Sequence, residues 1–153
     1  MLCKDLMSYP IIFNYNTDSI LDVSINMAKY KTNFLLILNK EHYIIGVITG
    51  SDIIKRIISK KVNISQPINN YITNSIIFCY EDQDISYAIS KMADNQIKQI
   101  IIINKNNFLK GVISIKDIAL RKETNKYLND LLYELFSETY INPLKTFNTQ
   151  KKI

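Results

Sequence analysis

The sequence predicts an α/β (α+β) fold in which two pseudo-symmetric β-α-β-β-α repeats pack as one module, followed by a C-terminal helix. Three observations predict it. The octapeptide Gly46-Val47-Ile48-Thr49-Gly50-Ser51-Asp52-Ile53 returns as Gly111-Val112-Ile113-Ser114-Ile115-Lys116-Asp117-Ile118, 65 positions later. The same offset lays residues 7–54 over 72–119 without a gap, so that Phe13, Tyr15, Ile20, Met27, Ala28 and Ile37 meet their own kind. Within each copy the apolar period changes in the same order, from short continuous runs to a helical stripe and back.

The elements follow in order. Ile11-Ile12-Phe13 is a short β-branched and aromatic run and reads as a strand, and the polar residues 14–19 suit a turn and a helix start. Ile20, Val23, Met27 and Ala28 then form an apolar helical stripe, repeated by Ile85, Ala88, Ile89, Met92 and Ala93. Phe34–Leu38 and residues 100–103 are apolar without alternation, as in strands covered on both faces. Residues 39–42 and 104–107 supply turns, residues 43–48 and 108–113 a second strand, and a closing helix begins near Gly50 or Ile115.

A unit of about 60 residues buries too little surface to be comfortable alone, so the repeats are expected to pack together. The expected boundaries are 1–60 for the first repeat, 61–122 for the second and 123–153 for an amphipathic helix and polar tail, with a linker at 59–70 around Pro67. In the last segment Leu128, Leu131, Leu132, Leu135 and Phe136 form a stripe over Asn129, Asp130, Glu134 and Glu138. That stripe either covers the module's own core or meets a partner. Pro143 is expected to end the helix, and the tail to Ile153 to fray.

Composition narrows the function classes. With 47% hydrophobic and 22% charged residues the chain reads as globular, and no apolar run approaches the roughly 20 residues of a membrane span. No charged region followed by an apolar core opens the sequence, so a cytoplasmic protein is expected. Cys3 and Cys79, with no CxxC spacing and no histidine nearby, read as reduced structural thiols, and no metal site is expected. The net charge of +5 is mild and the segment after Ile118 carries +2 of it, which disfavours nucleic-acid binding. No P-loop, no GxGxxG and no acid-base constellation is present, and His42, the one histidine, falls in a turn. No catalytic residue is assigned.

On the two octapeptides, Gly-apolar-apolar-Thr/Ser-x-x-Asp-apolar inside matched β-α-β-β-α frames, the chain resembles a stand-alone pair of CBS motifs over roughly residues 1–122. The resemblance implies a non-catalytic regulatory module with two clefts between the repeats. Its ligands would be AMP, ADP, ATP, S-adenosylmethionine or cyclic di-AMP, as regulatory ligands and not obligatory cofactors. Carried over by position, one cleft would combine Thr49, Ser51 and Asp52 with Ile77, Ile97 and Lys98. The other would combine Ser114, Lys116 and Asp117 with Ile12, Thr32 and Asn33. The resemblance also implies a homodimer through the helices and an unidentified protein partner.

The residue chemistry agrees with a ligand role. A strand that opens a helix at Thr49 leaves backbone N–H groups suited to phosphate, and a carboxylate such as Asp52 can accept ribose hydroxyls. The same residues also form a capping box, which accounts for Thr49-x-x-Asp52 and Ser114-x-x-Asp117 without any ligand. Leu36 and Ile101 replace the proline common in the family's middle strand. Lys98 is the cation of the first cleft, which is therefore preferred, and Lys116 that of the second, while Asn33 and Gly50 stand at their counterparts. The alternative is a constitutive dimerisation or interaction module with degenerate clefts, its function carried by the helix at 128–136. Abundant Ile, Asn and Lys suggests an AT-rich bacterial genome, a setting suited to cyclic di-AMP.

Overall fold

The structure, a computed structural model, describes residues 1–9 and 11–140. Pro143 and the tail to Ile153 lie outside the described residues. In chain order the elements are α1 (Cys3–Leu6), β1 (Phe13–Tyr15), α2 (Ile20–Lys29), β2 (Phe34–Leu38), β3 (Ile44–Thr49) and α3 (Gly50–Asp52). A π-helical turn at Ile53–Ile57 and a 3-10 turn at Ile58–Lys60 prolong α3. The second copy follows as β4 (Phe78–Tyr80), α4 (Ile85–Asp94), β5 (Gln99–Ile103), β6 (Leu109–Ser114) and α5 (Ile115–Ala119), and α6 (Asn125–Tyr140) comes last.

The chain divides into two compact units, Pro10–Ile76, and Met1–Tyr9 together with the chain from Ile77 onward. Each holds one three-stranded sheet, of order β1-β2-β3 and β4-β5-β6, with the first pair parallel and the second antiparallel. The repeat extends to irregularities. Both middle strands slip register at the same place, between Ile37 and Leu38 and between Ile102 and Ile103. Non-glycine residues with positive φ also recur at the 65-residue offset, Lys31 with Gln96 and His42 with Asn107. The middle strands are buried along Leu35, Leu36, Ile37 and Leu38 and along Ile100 to Ile103, as their unbroken apolar runs predict.

One expectation shifts. The first strand is Phe13–Tyr15 and not Ile11-Ile12-Phe13, because the inward position of the strand is polar: Asn14 is 4% exposed. Its amide donates to Asp18 Oδ2 at 2.8 Å and its carbonyl accepts from Asn26 Nδ2 at 3.0 Å, so burial costs it no unmet hydrogen bond. The compact units also cut across the repeats. Thr73 exchanges backbone hydrogen bonds with Val47 of β3 at 3.0 and 2.8 Å, and Ser8 N–H donates to Val112 O of β6 at 2.9 Å. Residues 61–76 therefore join the first repeat's unit, and residues 1–9 join the second's.

That docking explains the glycine that opens each octapeptide. A Cβ on Gly46 would stand 2.8 Å from Thr73 O, and one on Gly111 would stand 2.8 Å from Met7 Cβ and Cγ. Met7 and Ile72, like Ser8 and Thr73, are themselves 65 positions apart. Each unit has its own core. Ile20, Val23, Leu35, Ile37, Ile48, Ile57 and Ile68 fill the first; Ile85, Met92, Ile100, Ile102, Ile113 and Ile118 fill the second. Leu131 of α6 is 1% exposed in that second core, with Leu128 and Leu135 packed beside it. Of the two roles open to the C-terminal stripe, it covers its own unit.

Candidate functional site

The octapeptides end as two strand-to-helix corners with the same geometry. Thr49, in extended conformation, caps α3: its hydroxyl accepts from Asp52 N–H at 3.1 Å and donates to Asp52 Oδ2 at 2.7 Å, while its N–H donates to the same oxygen at 2.9 Å. Ser114 does the same for α5, with distances of 3.3, 2.5 and 2.8 Å to Asp117. The capping box that the spacing predicts is thus formed in both copies.

The corners differ at the second carboxylate oxygen. Asp52 Oδ1 accepts from Arg56 Nη2 at 2.7 Å and Nε at 3.1 Å, and Arg56 Nη2 also donates to Thr73 Oγ1 at 2.7 Å. A carboxylate offers about four acceptor positions, and Asp52 has all of them engaged. Partial burial pushes its carboxyl up, but the hydrogen bonds from Arg56 and Thr49 and the guanidinium charge outweigh this and hold its pKa below the usual value. At Asp117, among the described residues, only Ser114 reaches the carboxylate, and only through Oδ2.

The backbone explains the asymmetry. After Asp52 the chain stays helical through Ile57, which places Arg56 one turn further on the same face. After Asp117 the helix stops at Ala119, and Arg121, the counterpart of Arg56, is extended at φ −107° and ψ 122°. The Thr124 hydroxyl, 2.5 Å from Ile118 O and 2.8 Å from Arg121 O, shares its one proton between these carbonyls and seals this helix end. Both sequences carry the Asp-x-x-x-Arg spacing, so spacing alone does not separate them.

The other predicted residues fall beside these corners. In the first unit Gly50 N–H donates to Asn33 O at 2.9 Å, and Thr32 Oγ1 donates to Phe34 O at 3.0 Å, which places Thr32 and Asn33 at the Thr49 corner. In the second, Ile115 N–H donates to Lys98 O at 3.1 Å, which places Ile97 and Lys98 at the Ser114 corner. Each helix therefore has its first amide engaged by protein, fewer donors than the sequence suggests for phosphate. Ile12 and Ile77 are half-buried against their own cores, and Ser51 and Lys116 are exposed. Sequence reasoning missed Gln99, which lies in register with Ser114 and whose Oε1 is buried without a hydrogen bond. It also missed Phe136 of α6, over which Lys98 Nζ sits 4.4 Å from the ring centroid.

Cys3 and Cys79 share the second core; both are buried and free. The hydrogen bond to Cys79 and burial push the Cys3 thiol up, so it stays protonated. Among the described residues no three His, Cys, Asp or Glu side chains gather as metal ligands, and no helix is long and apolar enough to cross a membrane.

Comparison with known proteins adds the following. An L-aspartate semialdehyde sulfurtransferase of Methanocaldococcus jannaschii is 25% identical over 118 residues, which cover 77% of this chain and 22% of that protein. The chain therefore spans under a quarter of that relative's length. The CBS domain protein PAE2072 from Pyrobaculum aerophilum, solved in complex with AMP, superimposes with a TM-score of 0.77 over 85% of this chain and 99% of that one, at 22% identity. The CBS domain pair of protein MJ0100, solved with 5-methylthioadenosine and S-adenosyl-L-methionine, gives 0.69 at 25% identity, over 78% of this chain and 93% of that one. The CBS domain family model matches twice, at residues 3–59 and 68–122, one match on each repeat, and the chain belongs to the CBS domain family.

Proposed function

We propose that the chain is a non-catalytic regulatory module that binds an adenine nucleotide and thereby changes its affinity for a protein partner. The single observation that carries this is the pair of formed corners, Thr49 with Asp52 and Ser114 with Asp117, built alike in both repeats. The proposed ligand groups remain those the family resemblance names: Thr49, Ser51 and Asp52 with Ile77, Ile97 and Lys98, and Ser114, Lys116 and Asp117 with Ile12, Thr32 and Asn33. The MJ0100 pair, at 25% identity, is named with two adenosine compounds, which supports adenosine as the shared part of the ligand. A ligand acts through its differential affinity for two states of the module, so any adenine compound that separates those states would serve.

Thermal unfolding tests the reading, with AMP, ADP, ATP, S-adenosylmethionine and cyclic di-AMP as ligands and guanosine nucleotides as controls. A ligand at about 100 times its Kd adds roughly 2.7 kcal/mol, a rise of several degrees for this size. A shift with an adenine compound and none with guanosine supports the proposal. No shift with any of them counts against it.

A constitutive interaction module is the second reading, and one observation favours it. Leu21 and Ile25 of α2, and Ile54 and Ile58 in the helix after Thr49, are exposed aliphatics one turn apart in each pair. At the 65-residue offset the second repeat has Ser86, Ser90, Ala119 and Glu123. The surface suited to a homodimer or partner on this reading is on the first repeat's helices, not on α6. Sedimentation of Ile25→Glu and Ile54→Glu separates the readings: a lost dimer with nucleotide binding intact assigns association to that face.

A further inference from the structure

We infer that the two corners are not equivalent ligand sites: the Ser114–Asp117 corner takes the ribose, and Arg56 closes the Thr49–Asp52 corner to it. The inference rests on the nucleotide reading above and reverses the preference that Lys98 alone suggests.

Vicinal hydroxyls need acceptors with unused lone pairs. At Asp52 there are none: Thr49 N–H and hydroxyl occupy Oδ2 at 2.9 and 2.7 Å, and the Arg56 fork occupies Oδ1 at 2.7 and 3.1 Å. A ribose would have to displace a charge-assisted fork that Thr73 also holds, at 2.7 Å from Arg56 Nη2. At Asp117 the Ser114 groups occupy Oδ2, and among the described residues Oδ1 accepts nothing. Gln99, paired in register with Ser114, adds a buried Oε1 without a donor, where the first repeat has Phe34. One unoccupied carboxylate oxygen and one buried, unpartnered amide oxygen stand at the second corner, and neither stands at the first.

The device is the helix after the corner. Continuing it through Ile57 brings Arg56 onto Asp52; ending it at Ala119 turns Arg121 away from Asp117.

Isothermal titration of the full chain with AMP and with S-adenosylmethionine tests this. The expected result is one site per chain, weakened about ten- to a hundredfold by Asp117→Asn. Arg56→Gln should raise the count to two. If Arg56→Gln does not fold by circular dichroism, Arg56→Lys, which keeps the charge but loses the fork, takes its place. Two sites in the wild type, or loss on Asp52→Asn with Asp117→Asn silent, would overturn the inference and leave nucleotide binding standing. Binding of neither probe by any variant would instead overturn the nucleotide reading and the inference with it.

Discussion

The Lys98 ammonium lies 4.4 Å from the centroid of the Phe136 ring, so a residue that the sequence assigns to phosphate is in contact with the helix that follows the repeats. The contact is possible because α6 is anchored one and a half turns earlier by Leu131, which is 1% exposed in the second core. Leu131→Ala should therefore cost about 2–5 kcal/mol in urea denaturation, as for other fully buried leucines. Phe136→Ala should cost about 0.5–1 kcal/mol for the cation–π contact at an exposed lysine. Tyr133→Ala, on the exposed face of the same helix, should stay within about 0.5 kcal/mol. Equal effects from Leu131 and Tyr133 would show that α6 does not pack on the second repeat.

The glycines of the two octapeptides predict unequal damage. An alanine Cβ at Gly46 meets a backbone carbonyl, Thr73 O, at 2.8 Å, and that carbonyl accepts from Val47 N–H at 3.0 Å. At Gly111 the obstacles are Met7 Cγ and Sδ, which can turn away, and Met7 Cβ, which moves only with the short N-terminal segment that carries it. Overpacking costs about 1–3 kcal/mol; Gly46→Ala should fall at the upper end and Gly111→Ala at the lower. Denaturation midpoints of the two variants rank them, and the reverse order would place the tighter approach at Met7.

Much of this was legible in the sequence, and the gaps have physical causes. The offset of 65, both helical stripes, the buried middle strands and the two capping boxes follow from local pattern, because each is decided within one turn or one strand. The first strand was misplaced by two residues because Asn14, a polar residue, occupies the buried position and is satisfied by Asp18 and Asn26 across a turn and a helix. Its counterpart in the second copy is Cys79, so the repeat itself gave no warning. The attachment of residues 1–9 to the second sheet depends on pairing Ser8 with Val112, 104 positions away, which no local signal encodes. Arg56 and Arg121 have the same spacing from an aspartate, and only the length of each helix separates them.

Cys3 and Cys79 provide a check on the second core. The Cys3 thiol is pushed up by the hydrogen bond to Cys79 and by burial, while the same hydrogen bond and the Lys91 charge push Cys79 down against its burial; because both side chains are buried, neither should be reached by a thiol reagent in the native protein. A chromogenic disulfide reagent should label about zero thiols in the native protein and both after denaturation. Rapid native labelling of one thiol would mean that the segment carrying Cys3 leaves β4 readily.

Acid should act on the Asp52–Arg56 pair with a defined sign. The folded pKa of Asp52 lies below its ordinary 3.8, because the hydrogen bonds from Arg56 and Thr49 and the guanidinium charge outweigh the opposing effect of burial. A carboxyl depressed on folding stabilises the native state above its unfolded pKa, and that contribution disappears as pH falls through the folded value. The wild type should thus lead Arg56→Gln in denaturation midpoint at neutral pH, and the lead should shrink once pH drops below about 3.8. Asp84, held down to about 2 by Ser86 and the N-terminal amine, titrates alike in both proteins and cancels in the difference. Salt should narrow the gap only partly, since Asp52 is 24% exposed and incompletely screened. A difference between the two proteins that stayed constant from neutral pH to the acid limit would mean that Arg56 stabilises the first unit through Thr73 and packing alone, and that the Asp52 carboxylate is not engaged by the fork in solution.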